Sequence, residues 1–275
     1  MKKLLFGTAG IPISTSGDTV QGIHDVKKLG LDNMELEFVR SINITKERAP
    51  LVSEAAKKNN VVLTCHAPYY VNLNSHEKQK YHASINRILS SARIAHLCGG
   101  YSVCFHAGYY MGDPGSNVLK KITKAIKNIV SVLQDESISL WIRPEISGKP
   151  SAFGSEEELI KISEDVEQVL PCIDFAHLHA RTNGKNNTYE EFSSILAQIE
   201  RRLGRSALNN MHIHVSGIEY GEKGERKHLT LKESDMNYKD LMKAFYAFKL
   251  KGVVISESPN IEKDALLMKR TYEKI

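Results

Sequence analysis

Short runs of β-branched and apolar residues alternate along this chain with longer segments in which apolar residues recur every three to four positions. The short runs predict strands at Leu4–Gly7, Asn33–Phe38, Val61–His66, Ser102–His106, Ser139–Glu145, Cys172–Asp174, Met211–Ser216 and Val253–Glu257. Among the longer segments, Ser155 with Glu158 and Thr188 with Glu191 have capping-box spacing, which predicts helices over Glu156–Val169 and Tyr189–Arg202. Helical periodicity also marks Leu119–Leu133 and Tyr238–Leu250. This alternation, with no linker-like tract, predicts a (β/α)8 TIM barrel occupying residues 1–275 as one domain. A doubly wound open sheet would usually carry a glycine-rich turn after its first strand, and Gly7-Thr8-Ala9-Gly10 is a weak candidate for one.

The polar positions follow the strands. Glu37, His66, His106, Glu145, Asp174, His214 and Glu257 each fall at or near the last residue of a predicted strand. In a parallel barrel those ends converge on one rim, so residues roughly 30–40 positions apart in sequence are brought together. Met211, Ile213 and Val215 alternate with His212 and His214, placing both imidazoles on one face of their strand. Burying a ring nitrogen without a partner costs about 1–3 kcal/mol, a cost that a metal or a carboxylate removes. Either histidine is a candidate ligand, and His214 stands nearer the strand end. Beyond Gly217 a polar, glycine-punctuated loop carries Glu225 and His228 back toward the same rim, and Asp174 and His177 are close enough to act from one loop. A single strand-end histidine is usually a hydrogen-bonded rim residue, but a set in register has no such explanation. Glu37 is a candidate partner of a ligand. His24, His76, His82 and His96 lie on predicted helices and carry no such expectation, and Arg201, Arg202 and Arg205 read as a solvated helix end.

Composition narrows the class. With 41% hydrophobic and 25% charged residues the chain reads as globular. It has no apolar run near the ~20 residues of a membrane span, and Leu4-Leu5-Phe6 is too short for the core of a signal peptide. A cytoplasmic, membrane-free protein is expected. Cys65, Cys98, Cys104 and Cys172 lack the local spacing of a zinc ribbon or a disulfide framework. The net charge of +5 tolerates a polyanionic partner without requiring one.

Taken in order, several short motifs resemble the endonuclease IV family of apurinic/apyrimidinic endonucleases. They are Thr64-Cys65-His66-Ala67-Pro68-Tyr69-Tyr70-Val71-Asn72, Phe105-His106-Ala107-Gly108, Pro144-Glu145, Cys172-Ile173-Asp174-Phe175-Ala176-His177, His214-Val215-Ser216-Gly217 and Glu257-Ser258-Pro259. The resemblance implies a TIM barrel with two or three zinc ions per chain, manganese being an alternative, that cuts duplex DNA on the 5′ side of an abasic site through a metal-activated hydroxide. It implies that His66, His106 and Glu145 hold one ion, that Glu145 bridges to a second held by Asp174, His214 and Glu257, and that His177 and His228 hold a third. Glu145 is the expected catalytic centrepiece because its two oxygens can serve two ions, and histidine with carboxylate suits zinc or manganese better than magnesium alone. Tyr69, which can stack on a base, and Asn72 are expected at the substrate, and the enzyme is expected to act as a monomer.

The chain departs from that family at three places. The third site's usual Asp-x-His pair is replaced by Glu225-Arg226-Lys227-His228, which makes Glu225 the candidate carboxylate. The loop after the second strand, Val39-Arg40-Ser41-Ile42-Asn43, lacks the usual DNA-probing sequence and leaves Arg40 as the candidate to enter the duplex. A glutamine-bearing segment is replaced by Ile146-Ser147-Gly148-Lys149. The competing expectation is a single-metal sugar isomerase or epimerase on the same barrel, using only Glu145, Asp174, His214 and Glu257 and moving a proton beside a carbonyl. Metal content separates the two.

Overall fold

A computed structural model describes residues 1–275. Eight parallel strands form its central sheet: β1 (Leu4–Ala9), β2 (Asn33–Glu37), β3 (Val62–His66), β4 (Ser102–Phe105), β5 (Trp141–Pro144), β6 (Cys172–Asp174), β7 (Met211–Val215) and β8 (Gly252–Ser256). Their spatial order is β5-β4-β3-β2-β1-β8-β7-β6. The ring closes between β5 and β6 through isolated parallel bridges, Ile142 to Val169 and Glu145 to Cys172. This seam is thin for a chemical reason. Pro144 lies between Ile142 and Ile146, which both donate across the seam, and has no N–H of its own to give, so pairing there is broken into single bridges. The result is a TIM barrel, as the alternation in sequence predicts. Outward-facing Ile142, Ile173, Ile213 and Val254 are fully buried under the surrounding helices.

The predicted elements are recovered with altered ends. The helix expected over Glu156–Val169 stops at Asp165, because Val166 is extended and the chain must reach Val169 in register with β5. The segments expected as helices over 119–133, 189–202 and 238–250 are Gly115–Asp135, Tyr189–Leu203 and Tyr238–Ala247. His76 is not on a helix: it precedes the helix Lys78–Leu97 and pairs with Asp113 at 2.8 Å. Both capping boxes form as expected. Thr188 Oγ1 accepts from Glu191 N (3.3 Å) while Glu191 accepts from Thr188 N (3.1 Å). Replacing Thr188 by alanine is expected to cost about 1 kcal/mol, a loss of roughly 2–4 °C in Tm measured by thermal denaturation.

Two regions expected as loops are ordered structure that shapes the rim. The segment after Gly217 is a β-hairpin, Gly217–Gly221 with Gly224–Leu229, irregular at Glu219 and Tyr220. Asp174 and His177 are joined by a helix instead of a loop. Asp174 caps Phe175–Arg181, its Oδ1 accepting from His177 N at 2.7 Å, so one residue both starts the helix and faces the barrel mouth.

Candidate metal centre

Because side chains alternate along a strand, the last inward residues of β2 to β8 and of their immediate extensions form a ring at the C-terminal mouth. Glu145 is its centre and is fully buried. Its Oε2 lies 3.0 Å from His66 Nε2 and 3.6 Å from His106 Nε2. Its Oε1 lies 3.1 Å from His214 Nδ1 and 3.3 Å from His177 Nδ1. One carboxylate thus faces four imidazoles from four different segments. Around it, ligand atoms of Glu145, Asp174, His214 and Glu257 lie within 4.8 Å of one another, as do those of His106, Glu145 and His177, and of His177, His228 and Glu257. Glu225 joins the last group, its oxygens 3.5 Å from His177 Nε2 and 3.8 Å from His228 Nε2. All nine residues expected to hold metal therefore meet in one patch.

The hydrogen bonds of the imidazoles fix which nitrogen turns inward. His177 Nδ1 is 3.0 Å from the carbonyl of Ile146, and His228 Nδ1 is 3.1 Å from that of Glu257. A carbonyl only accepts, so each Nδ1 carries a proton and each ring turns its Nε2 inward. Those two Nε2 atoms face each other at 3.4 Å with the Glu225 carboxylate beside them. Burial lowers His177, but Asp174 and Glu145 outweigh it and hold the ring well above the usual imidazole range, so without metal a proton fills this gap and a metal cation would replace it. His66 has the same orientation, with Nδ1 donating to the Ala67 carbonyl at 2.7 Å and Nε2 donating to Glu145 at 3.0 Å. Asp174 Oδ2 and His106 Nδ1 are buried without an aligned hydrogen-bond partner. The donor set, five imidazoles with the carboxylates of Glu145, Asp174, Glu225 and Glu257, fits zinc or manganese.

Protons respond to the same charge pattern. Burial would raise the pKa of Glu145, but the surrounding imidazoles, His106 and His214 foremost, hold it well below the usual carboxylate range. Burial pulls His66 down, yet the Glu145 hydrogen bond outweighs it and raises the ring to about 10. His106, which lacks so close a carboxylate, is lowered by burial to about 4. Glu257 is raised by burial despite His214, and Glu37 is raised well above its normal range by burial and by Glu35.

How Glu225 arrives is a matter of backbone approach. Glu225 N donates to the Gly148 carbonyl at 2.9 Å, and a Cβ on Gly148 would sit 2.6 Å from Glu225 Oε2 and 2.9 Å from His177 Cδ2. Gly224 opposite has φ +86°, a conformation that favours glycine. The segment replacing the family's glutamine stretch is thus what seats the hairpin on the centre.

A cavity of about 390 Å³ opens above the centre, with His66, Tyr69, His106, Lys149, Glu225 and His228 on its wall. Tyr69 stands where expected, 56% exposed and with its ring centroid 5.5 Å from that of His66. Two expected substrate residues do not line this cavity. Arg40 is exposed outside it, and Asn72 is committed to its own loop, its Oδ1 accepting from Asn74 N at 3.0 Å and Tyr109 N at 3.3 Å. Lys149, Ser147 and Tyr109 on the wall carry no sequence signal beyond their adjacency to Gly148 and Gly108. Glu35 is the other residue missed. It lies one side-chain step below Glu37, 2.8 Å from His214 Nε2 and 2.9 Å from His212 Nε2. It orients His214 so that Nδ1 faces Glu145. His212, also bonded to Ser102 at 2.9 Å, lies beneath the rim and His214 is the histidine on it.

Comparisons with known proteins agree with this fold. An uncharacterized protein of Methanocaldococcus jannaschii is 40% identical over 99% of this chain and 98% of its own length. A probable endonuclease 4 of Bacillus subtilis is 24% identical over 87% of this chain and 79% of its own. Among solved structures, endonuclease IV from Thermus thermophilus superposes with a TM-score of 0.75 at 18% identity, covering 97% of this chain and 98% of that one. A D-tagatose 3-epimerase-like protein gives a TM-score of 0.73 at 16% identity, covering 97% and 96%. No helix is long and apolar enough to cross a membrane. The family model of the xylose isomerase-like TIM barrels matches residues 23–273, nearly the whole chain, and the protein belongs to that family.

Proposed function

We propose that this protein is a metal-dependent endonuclease that hydrolyses the phosphodiester on the 5′ side of an abasic site in duplex DNA. The observation that carries the reading is the sharing of Glu145 among ligand groups reaching from His66 and His106 across to His177, with Glu225 and His228 beyond. Such a spread accommodates more than one cation, which suits phosphodiester cleavage. Proton transfer beside a carbonyl needs only one. The endonuclease 4 relatives support it. Zinc or manganese, when bound, supplies Lewis acidity toward the phosphoryl oxygens, the attacking water and the departing 3′ oxygen.

The chain's own residues do the rest. His66, His106 and Glu145 hold one side of the centre, Asp174, His214 and Glu257 the other, and His177, His228 and Glu225 the outer edge. Lys149 stands on the cavity wall where it meets a phosphate. Tyr69, Tyr70, Tyr109 and Met111 are exposed on the loops after β3 and β4, a set of large apolar side chains at the mouth suited to a splayed sugar or an unstacked base. These take the role expected of Arg40. A single-metal epimerase is the second reading, because Glu145, Asp174, His214 and Glu257 alone form a compact set on a fold shared with epimerases.

The test is incubation of the purified protein with a duplex carrying one abasic site, with and without prior chelation. Incision on the 5′ side leaving a 3′ hydroxyl, lost on chelation and restored by zinc or manganese, is expected. Absence of incision with either metal, together with a single cation at the rim, overturns the nuclease reading in favour of the epimerase.

A further inference from the structure

Two residues before most of the strand-end rim residues, the same strands present a second inward layer: Glu35 below Glu37, Thr64 below His66, Cys104 below His106, Arg143 below Glu145, Cys172 below Asp174 and His212 below His214, with the apolar Ile255 below Glu257 the exception. All six lower residues are fully buried. Interior layers of such barrels are ordinarily filled by bulky branched apolar side chains. Here the layer is polar, and its register is fixed by the sheet, with Cys104 opposite Arg143 and Cys172 opposite His212.

The layer has the composition and spacing of a closed metal site. One ligand atom each from Cys104, Cys172, His212 and His214 lies within 4.8 Å of the others, and Cys104 Sγ is 3.8 Å from His214 Nε2. A tetrahedral zinc with sulfur at about 2.3 Å and nitrogen at about 2.0–2.1 Å sets sulfur–nitrogen edges of roughly 3.5 Å, so small side-chain adjustments suffice. Glu35 closes the layer on one side, its two oxygens 2.9 Å from His212 Nε2 and 2.8 Å from His214 Nε2.

We propose that Cys104, Cys172, His212 and His214 form a second, thiolate-bearing metal site for zinc, one side-chain layer beneath the rim centre. Two thiolates select zinc over magnesium or manganese, and the absence of an open position makes the site structural. His214 is the wall between the two centres, its Nδ1 edge facing Glu145 and Glu257 and its Nε2 edge facing Cys104 and Glu35. With both centres loaded His214 bridges them as an imidazolate, the ring proton now directed at Glu35 being released to solvent on metal binding, and occupancy of the lower site thereby fixes a rim ligand in place. The site stands whether the rim acts on DNA or on a sugar, since it uses no substrate contact.

Cys172 gives the test its specificity, because Cys104 also lies within 4.8 Å of the rim residues His66 and Glu145 whereas Cys172 groups only with Cys104, His212 and His214. X-ray absorption on the intact zinc-saturated protein is expected to show sulfur scatterers at about 2.3 Å. Cobalt-reconstituted protein is expected to show near-ultraviolet thiolate-to-cobalt charge transfer. That band is lost in C104S and C172S, and retained in C65S, C98S and E145Q. A saturated, folded wild-type protein without sulfur in its metal shell overturns the proposal even if the cysteine variants fail to fold, and so does a band undiminished by C172S. A sulfur shell in a protein that does not incise DNA supports this site while refuting the nuclease reading, so the two failures are distinguishable.

Discussion

Replacing Glu145 by glutamine is expected to lower incision by roughly 10³-fold or more, about 4 kcal/mol of transition-state stabilisation, with the fold intact. The carboxamide has the volume of the carboxylate, so the fully buried position keeps its packing. What it loses is symmetry and charge. One end remains an acceptor, while the other becomes an NH2 donor that cannot serve a cation. In the native protein both oxygens are used, one toward His66 and His106 and the other toward His177 and His214. The variant therefore separates the two halves of the centre. Metal analysis is expected to show at least one cation fewer per chain, and circular dichroism an unchanged barrel. Incision retained near the wild-type rate would falsify the role of Glu145 as the shared ligand.

The barrel and the rim were readable from the sequence for one reason: both follow from strand ends. A polar residue closing a β-branched run needs no local motif to be placed, because the parallel barrel brings every such end to one mouth. His66, His106, Glu145, Asp174, His214 and Glu257 are all of this kind. Residues reaching the centre by tertiary packing were harder. Glu225 sits out of step with the family's spacing, and it arrives because Gly148 and Gly224 let two backbones approach closely, a property of paired loops that neither segment shows alone. His212 and His214 share a face by the period of two, so sequence placed both inside. Their depth depends on where the strand ends and on Glu35 across the barrel.

Arg40 and Asn72 show the opposite limit. Each was assigned through its loop's relation to a motif, and loop direction is set by contacts remote in sequence. Asn72 is consumed by turns at Asn74 and Tyr109, and Arg40 stands clear of the cavity. The lower layer was visible as alternation, Glu35-x-Glu37, Cys104-x-His106, Cys172-x-Asp174 and His212-x-His214. Cysteine spacing along the chain carries no trace of it. Cys104 and Cys172 belong to strands that are not consecutive and meet only across the barrel interior, so an argument from local Cys-x-x-Cys patterns has nothing to detect.

Removing cations by chelation is expected to lower the Tm by on the order of 10 °C, and by more at alkaline than at neutral pH. A cation present about 1,000-fold above its dissociation constant stabilises by roughly 4 kcal/mol, and one kcal/mol moves the Tm of a chain near this size by roughly 2–4 °C. The pH dependence follows from which groups take up protons when cations are withdrawn. Burial raises Glu37 and Glu257 above the ordinary carboxylate value, and the Glu145 hydrogen bond carries His66 to about 10 against the pull of burial. Groups whose folded pKa is raised stabilise the folded state below their unfolded pKa and lose that contribution as pH rises through the folded value. The chelated protein should accordingly weaken from near-neutral pH up toward pH 10. In the loaded protein, cations occupy the positions where protons compete, and rising pH favours them. Differential scanning at several pH values, with and without chelator, should therefore show the gap between the two forms widening with pH. A gap that narrows from pH 6 to pH 9 would mean that the rim's carboxylates and imidazoles balance one another without metal, and would remove the thermodynamic basis for a cation centre there.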